Sequence, residues 1–138
     1  MSIAYVTRKT RFAAAHRYWR ADWSAEDNVR VFGACANPHG HGHNYRVEVT
    51  LTGEPDPRSG QLISLSEFEA TVMRQVIDRF DHKHLNLDCP EFADTIPSVE
   101  NITRVIWKLL DGRFGPARLS CVRVWETPKT CAEYDGRE

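Results

Sequence analysis

The sequence predicts an α+β fold in the order ββααββ, a four-stranded antiparallel sheet with two helices on one face. Three observations predict it. Apolar residues alternate with polar ones in segments near both ends of the chain, two stretches of helical apolar spacing lie between them, and turn-forming residues mark the junctions.

Residues Tyr5 to Ala13 read as the first strand. The second runs from Tyr45 to Leu51, where Tyr45, Val47, Val49 and Leu51 alternate with Arg46, Glu48 and Thr50, giving one buried and one wet face. Leu65, Phe68, Val72, Val76 and Phe80 then recur at helical spacing behind Ser64 and Ser66, each of which has a glutamate three residues on, the pattern of a capping box. Ser98 after Pro97 is the N-cap expected for a second helix carrying Ile102, Val105, Ile106, Leu109 and Leu110, with Gly112 or Gly115 as its stop. Leu119 to Glu126 alternates again, Thr127 to Lys129 turns, and Thr130 to Tyr134 returns as the last strand. Strands joined by short turns pair antiparallel, and both helices must bury their stripes on one sheet face. Such a sheet has two open edges, which subunits commonly cover for one another, so an oligomer is expected.

At 138 residues the chain fits a single domain, expected to span 1–138. It has 41% hydrophobic and 27% charged residues and no apolar run of membrane-spanning length, so no membrane role is expected. The opening "MSIAYVTRKT" has no apolar core of a secretion signal, which makes a cytoplasmic location the expectation. A net charge of −1 gives no footprint for nucleic acid. Cys35, Cys89, Cys121 and Cys131 lie far apart with no C-x-x-C pair, as expected of free thiols.

The stretch "CANPHGHGHNYRVEVTL", Cys35 to Leu51, carries the strongest chemical signal. Residues two apart on a strand point the same way and sit about 6.6 Å apart, close enough for two imidazoles to share one ion. His41 with His43 meets that condition, as does His39 with His41, and all share parity with the apolar Tyr45, Val47 and Val49. His16, at the end of "RFAAAH", reaches the same ion if the first two strands are neighbours. Three imidazoles without a fourth protein ligand describe a catalytic zinc site with an open position. The plainer alternative is a glycine-rich turn that binds nothing, since H-x-H pairs on strands are common.

Other residues carry the same double reading. Cys35 is either a small buried hydrophobe or, beside a dication, a source of thiolate. "DHKH", Asp81 to His84, is either a solvated helix end or a carboxylate orienting the His82 imidazole for proton transfer. Glu126 shares a strand face with Val122 and Val124, where a carboxylate needs a partner, such as a cationic or amidine-like group of a ligand.

Taken together, "RFAAAH", "VFGACANPHGHGHNY", "LSEFEATVMRQVIDRFDHKHLN", "FADTIPSVENI" and "VRVWET", in this order and spacing, resemble the 6-pyruvoyl-tetrahydropterin synthase family over nearly the whole chain. The resemblance implies the tunnelling fold, in which ββααββ subunits close their sheets into a barrel in a trimer and two trimers stack into a hexamer. It implies that His16, His41 and His43 are zinc ligands, Cys35 the catalytic thiol, Asp81 and His82 a proton-transfer pair contributed across a subunit interface, and Glu126 the pterin anchor. Ser98 and Glu100 stand where the family has further pterin contacts, with Val99 in place of a hydroxyl residue often found there. His39 and His84 stand where relatives commonly have asparagine, and Ser64 where many have Asp or Asn.

The implied substrate is 7,8-dihydroneopterin triphosphate, converted to 6-pyruvoyl-tetrahydropterin by loss of triphosphate and an internal redox rearrangement. No nicotinamide or flavin is required, and the chain has no G-x-G-x-x-G or Walker-type loop. Two other readings accompany it: a 6-carboxy-tetrahydropterin synthase of the 7-deazaguanine (queuosine) pathway, releasing acetaldehyde as well as triphosphate, and a non-catalytic oligomeric module stabilised by zinc. The five residues between Cys35 and His41 resemble the pyruvoyl-forming branch, since the carboxy-forming enzymes often have three.

Overall fold

In the computed structural model, which describes residues 2–138, the first two strands form one long ladder. Strand β1 (Ala4–His16) pairs antiparallel with β2 (His41–Gly53) from end to end, placing Phe12 opposite Tyr45 and His16 opposite His41. β2 also pairs antiparallel with β4 (Arg118–Thr127), and β4 with β5 (Thr130–Tyr134). The sheet has a fifth, two-residue member. β3 (Lys83–His84) lies parallel to β1 beside Ala14 and Ala15, giving the order β3-β1-β2-β4-β5. The sequence alone predicts four strands, because a two-residue strand has no alternation to read; it forms only where the chain leaves the preceding helix alongside β1.

The buried face is the predicted one. Tyr45, Val47, Val49 and Leu51 of β2 and Val122 and Val124 of β4 are fully buried, as the two-residue alternation requires. Leu119 is also buried although its parity is wrong, because the register of β2 and β4 shifts between Thr50 and Leu51. That bulge puts Leu51 opposite Leu119 and returns the strand to the core.

Helix α2 (Leu65–Val72) runs through a π turn (Met73–Ile77) into α3 (Asp78–Phe80). Ser64 caps it by accepting the Glu67 N–H, and Phe68, Val72, Val76 and Phe80 bury the predicted stripe, while Leu65 stays half-exposed at the first turn. The wider π turn lets the successive residues Val76 and Ile77 both face the core. Helix α5 (Val99–Leu110) is capped by Ser98, which accepts the Asn101 N–H, and buries Ile102, Ile106 and Leu110. It stops at Asp111, with Gly112 next at φ 77°, a conformation that favours glycine.

Two short helices were not expected from apolar spacing. α1 (Ala25–Phe32) lies in the long connection between β1 and β2, and α4 (Leu85–Asp88) follows β3. α1 exposes Val29 and Val31 and buries Asn28, whose side chain accepts the Arg20 N–H at 2.7 Å and donates to the Arg20 and Ser24 carbonyls. A polar residue thus does the anchoring that an apolar stripe usually does. α1 leads into a 3-10 turn (Gly33–Ala36) that carries Cys35.

Candidate active site

The His16–His41 end of the β1–β2 ladder gathers the predicted ligands. Strand parity points His41 and His43 to the core face, and the His16–His41 register brings the third ring beside them. One ring nitrogen from each of His16, His41 and His43 lies within 4.8 Å of the others, and among the described residues no cysteine or carboxylate joins that group. His16 and His41 approach most closely, Nε2 to Nε2 at 3.0 Å, and the three rings are mutually edge-on with centroids 4.6 to 5.0 Å apart. Gly40 makes this approach possible: at φ 71°, a Cβ there would lie 2.6 Å from the His16 carbonyl oxygen.

His16 is fully buried and oriented by its other nitrogen. Nδ1 lies 2.7 Å from the Pro97 carbonyl and 3.0 Å from the Tyr45 hydroxyl. A carbonyl only accepts, so Nδ1 carries the proton and Nε2 presents a lone pair to the cluster. Burial lowers the His16 imidazole to a pKa of about 4, and burial also lowers His43, against the opposing pull of Glu126. Neutral imidazoles are the form that binds a metal.

Glu126 sits beside the cluster. Its Oε1 is 3.9 Å from His43 Nε2, and its Oε2 and His43 Nε2 are both buried without a hydrogen-bond partner. An unsatisfied carboxylate oxygen and an unsatisfied ring nitrogen at one place call for a cation, a ligand donor, or both. Between them opens a cavity of about 770 Å³ bounded by His43, Tyr45, Arg46, Trp125 and Glu126. A larger one, about 980 Å³, lies at the other end of the sheet between Glu54–Ser59 and Arg113–Pro116, away from the histidines.

Cys35 is half-buried on its 3-10 turn, which two contacts hold against the end of β1: the Tyr18 N–H donates to the Cys35 carbonyl at 2.8 Å, and Arg17 Nε donates to the Ala36 carbonyl at 3.0 Å. Burial, and after it the negative charge of Glu126, Cys35 and Glu100, raises the Tyr18 hydroxyl well above the usual tyrosine range. Ser98 is half-buried and caps α5, while Glu100 is exposed in its first turn. All four cysteines are free thiols.

Asp81 and His82 form a pair of their own. Asp81 Oδ1 accepts the Ala13 N–H at 2.9 Å, Oδ2 lies 2.9 Å from His82 Nδ1, and the His82 N–H donates to the Ala13 carbonyl at 2.7 Å. The Ala13 N–H, with His82, holds the Asp81 carboxyl below the usual range. His82 adopts φ 62°, unusual for a non-glycine residue, and its side chain is largely exposed. Among the described residues no hydrogen bond connects this pair to the three histidines, although His82 and His43 line a common groove. His39 is exposed, whereas His84 lines that groove with Nδ1 buried and unpartnered.

Sequence reasoning missed Tyr18, Tyr45 as a buried partner of His16, and the Pro97 carbonyl. The first two left only a weak signal, aromatic residues two positions after metal-type histidines; a backbone carbonyl leaves none.

A sheet backed by helices on one face, with three convergent histidines of which His43 lines a cavity beside the half-buried Glu126 carboxylate, defines an α+β protein with a site that could hold a metal ion. The sequence profile described as 6-pyruvoyl tetrahydropterin synthase matches residues 5–137, and the chain belongs to that family. It is 38% identical over 133 residues to the 6-pyruvoyl tetrahydrobiopterin synthase of Homo sapiens, covering 96% of this chain and 92% of that one. The solved structure of Caenorhabditis elegans 6-pyruvoyl tetrahydropterin synthase superposes with a TM-score of 0.93 at 36% identity, covering 99% of this chain and 98% of that one. A 6-carboxy-5,6,7,8-tetrahydropterin synthase from Haemophilus influenzae is 24% identical over 127 residues, covering 74% of this chain and 84% of that one. The chain is thus an enzyme of a pterin-synthesis family with the fold of that solved structure.

Proposed function

We propose that this protein is a zinc-dependent 6-pyruvoyl-tetrahydropterin synthase acting on 7,8-dihydroneopterin triphosphate. One observation carries the reading: three convergent imidazoles, with no fourth protein ligand among the described residues, stand beside Glu126, whose buried oxygen lacks a partner. The residues fit zinc. Two nitrogen ligands at ~2.05 Å on a tetrahedral ion lie about 3.3 Å apart, close to the 3.0 Å between His16 and His41. The His16 Nδ1 bond to Pro97 is the outer contact that orients a ligating imidazole. Bound zinc supplies Lewis-acid polarisation of the substrate's side-chain hydroxyls, which acidifies the adjacent C–H bonds.

The chain's own residues do the rest. Glu126 accepts hydrogen bonds from the ring amide N–H and exocyclic amine of the pterin, a charge-assisted match that also satisfies its orphaned oxygen. Ser98 and Glu100, at the start of α5, are the further pterin contacts. Cys35, held beside β1, is the general base that takes a side-chain proton. Asp81 keeps His82 oriented to move protons between the side chain and the ring, and the exposure of His82 suits action on a neighbouring subunit's substrate. The open edge of β5 and most of that of β1 favour closure of the sheets in a trimer and stacking into a hexamer. Sedimentation of a stable active monomer would refute that assembly.

The decisive test is incubation of the zinc-loaded protein with 7,8-dihydroneopterin triphosphate and identification of the products. 6-Pyruvoyl-tetrahydropterin and triphosphate are expected. Acetaldehyde would instead identify a 6-carboxy-tetrahydropterin synthase. Retained zinc with no turnover and no pterin binding would identify a non-catalytic module.

A further inference from the structure

The larger cavity, about 980 Å³, lies at the opposite end of the sheet from the three histidines and shares no lining residue with theirs. We propose that it binds a small organic phosphate. Arg58, Arg74 and Arg113 take the phosphate, the Thr71 hydroxyl adds a neutral hydrogen bond, and Glu54 and Glu67 accept from hydroxyl or amine groups on the ligand's body.

Three segments far apart in sequence build its walls. The connection from β2 to α2 supplies Glu54 to Ser59, and the connection from α5 to β4 supplies Arg113 to Pro116. Between them, α2 and its π turn supply Glu67, Thr71 and Arg74, four and three positions apart and so on one face. Both connections are braced by their own backbone. The Asp56 N–H donates to the Gln61 carbonyl at 3.0 Å, the Gly60 N–H to the Asp56 carbonyl at 2.7 Å, and the Ala117 N–H to the Phe114 carbonyl at 3.2 Å. Leu62 and Phe114, both buried, add an apolar base. The space is therefore preformed and of the size that small-molecule sites have.

Its polar groups lack partners within the chain. Arg8, Arg20 and Arg79 each hold a carboxylate at 3.0 Å or closer, whereas Arg58, Arg74 and Arg113 form no ion pair and no side-chain hydrogen bond among the described residues. Three like charges brought to one space repel one another, and a planar guanidinium is matched to phosphate oxygens. Thr71 points to a ligand independently. It is only 8% exposed, yet its hydroxyl makes no hydrogen bond among the described residues. Thr103, also buried, donates to the Val99 carbonyl at 2.6 Å. A buried hydroxyl left unpaired is costly, and the cavity that Thr71 lines is where its partner fits.

The two signs of charge in the lining define the ligand. An inorganic anion alone would sit on the arginines and leave Glu54 and Glu67, which also form no ion pair among the described residues, facing it unmatched. A phosphate ester whose body carries hydroxyl or amine donors satisfies both sets.

Adenosine 5′-monophosphate, with a phosphate, ribose hydroxyls and an exocyclic amine, is the probe, titrated calorimetrically into the whole protein. Saturable binding to each chain is expected, undisturbed by excess 7,8-dihydropterin and retained in Glu126→Gln. The Kd should rise by about ten-fold or more in Arg74→Gln and in Arg113→Gln, and by about three- to ten-fold in Thr71→Val, the scales of a charged and a neutral hydrogen bond. Inorganic phosphate should bind at least about three-fold more weakly than the nucleotide, the loss of one neutral hydrogen bond to the body. Absence of saturable binding overturns the proposal, and so does parent-like affinity in both arginine variants. Displacement by 7,8-dihydropterin, or loss of binding in Glu126→Gln, overturns it by moving the nucleotide to the cavity beside the histidines. Equal affinity for inorganic phosphate overturns an organic ligand. If Thr71→Val melts early, the two arginines, both exposed and so replaceable without disturbing the core, still decide the outcome.

Discussion

His16 and His41 face each other nitrogen to nitrogen, their Nε2 atoms 3.0 Å apart, while His16 Nδ1 donates to the Pro97 carbonyl. The outer bond fixes the tautomer and leaves a lone pair on the inner atom. His43 Nε2, buried and unpartnered, completes the set. The three nitrogens could hold one metal ion.

Removing one of the three imidazoles tests that directly. His41→Ala takes away one of three nitrogens and should abolish zinc retention through gel filtration, measured as metal per chain by plasma emission, together with turnover. Full zinc content in that variant would sink the ligand assignment and direct attention to the exposed His39.

The same burial makes the metal-free protein sensitive to acid. His16 ionises at about 4 when folded, against 6.5 for an unperturbed imidazole. Above 6.5 both folded and unfolded chains carry it neutral, so it adds no pH dependence. Between 6.5 and 4 the unfolded chain binds the proton and the folded one resists, so stability falls as pH falls. Below about 4 both are protonated and the slope from this residue disappears. Urea midpoints of the metal-free protein from pH 8 to 4 should decline across that window, and His16→Asn should decline less. Equal slopes for the two proteins would refute the burial account.

How far the site was legible in the sequence follows from which physical signals are local. The parity of His41 and His43 with Tyr45, Val47 and Val49 is a property of one strand, and the structure keeps it. The caps at Ser64 and Ser98 are equally local, and both accept the N–H three residues on. Other features depend on what the chain meets after folding. α1 has a capping signal, Ser24 accepting the Asp27 N–H, but it is anchored by Asn28, which donates to the Arg20 and Ser24 carbonyls just ahead of the helix, and not by an apolar stripe. β3 exists only through its register with Ala14 and Ala15. The Pro97 carbonyl that orients His16 lies 81 positions away in sequence and is a backbone group, invisible to any reading of side chains.

Glu126 offers a charge test with little change of shape. Glu126→Gln keeps the size and one acceptor oxygen but loses the charge that strengthens its bonds to the pterin amide and amine. Pterin affinity should fall by about ten-fold or more, the scale of a hydrogen bond to a charged group, while zinc stays bound through the histidines. Calorimetric titration with 7,8-dihydroneopterin checks the first part and metal analysis the second. Unchanged affinity would remove Glu126 from the anchor role despite its unpartnered oxygen.

Cys35 separates catalysis from metal binding. Its turn is fixed by the Tyr18 and Arg17 contacts to backbone carbonyls, so its side chain can be changed without releasing the loop. Its thiol is not in the group of ligand atoms that converge within 4.8 Å, so a metal held by the three histidines should not need it. Cys35→Ala should therefore keep zinc, melting temperature and pterin affinity but lose turnover by roughly 10²-fold or more, the scale of a positioned general base. Cys35→Ser should be nearly as slow, because a hydroxyl is a far weaker acid than a thiol and supplies almost no anion near neutral pH. Single-turnover assays beside metal analysis distinguish the outcomes. Zinc loss in Cys35→Ala would make the thiol a fourth ligand and turn the centre into a closed structural site. Near-normal turnover would move the base to His82, already oriented by Asp81 at 2.9 Å.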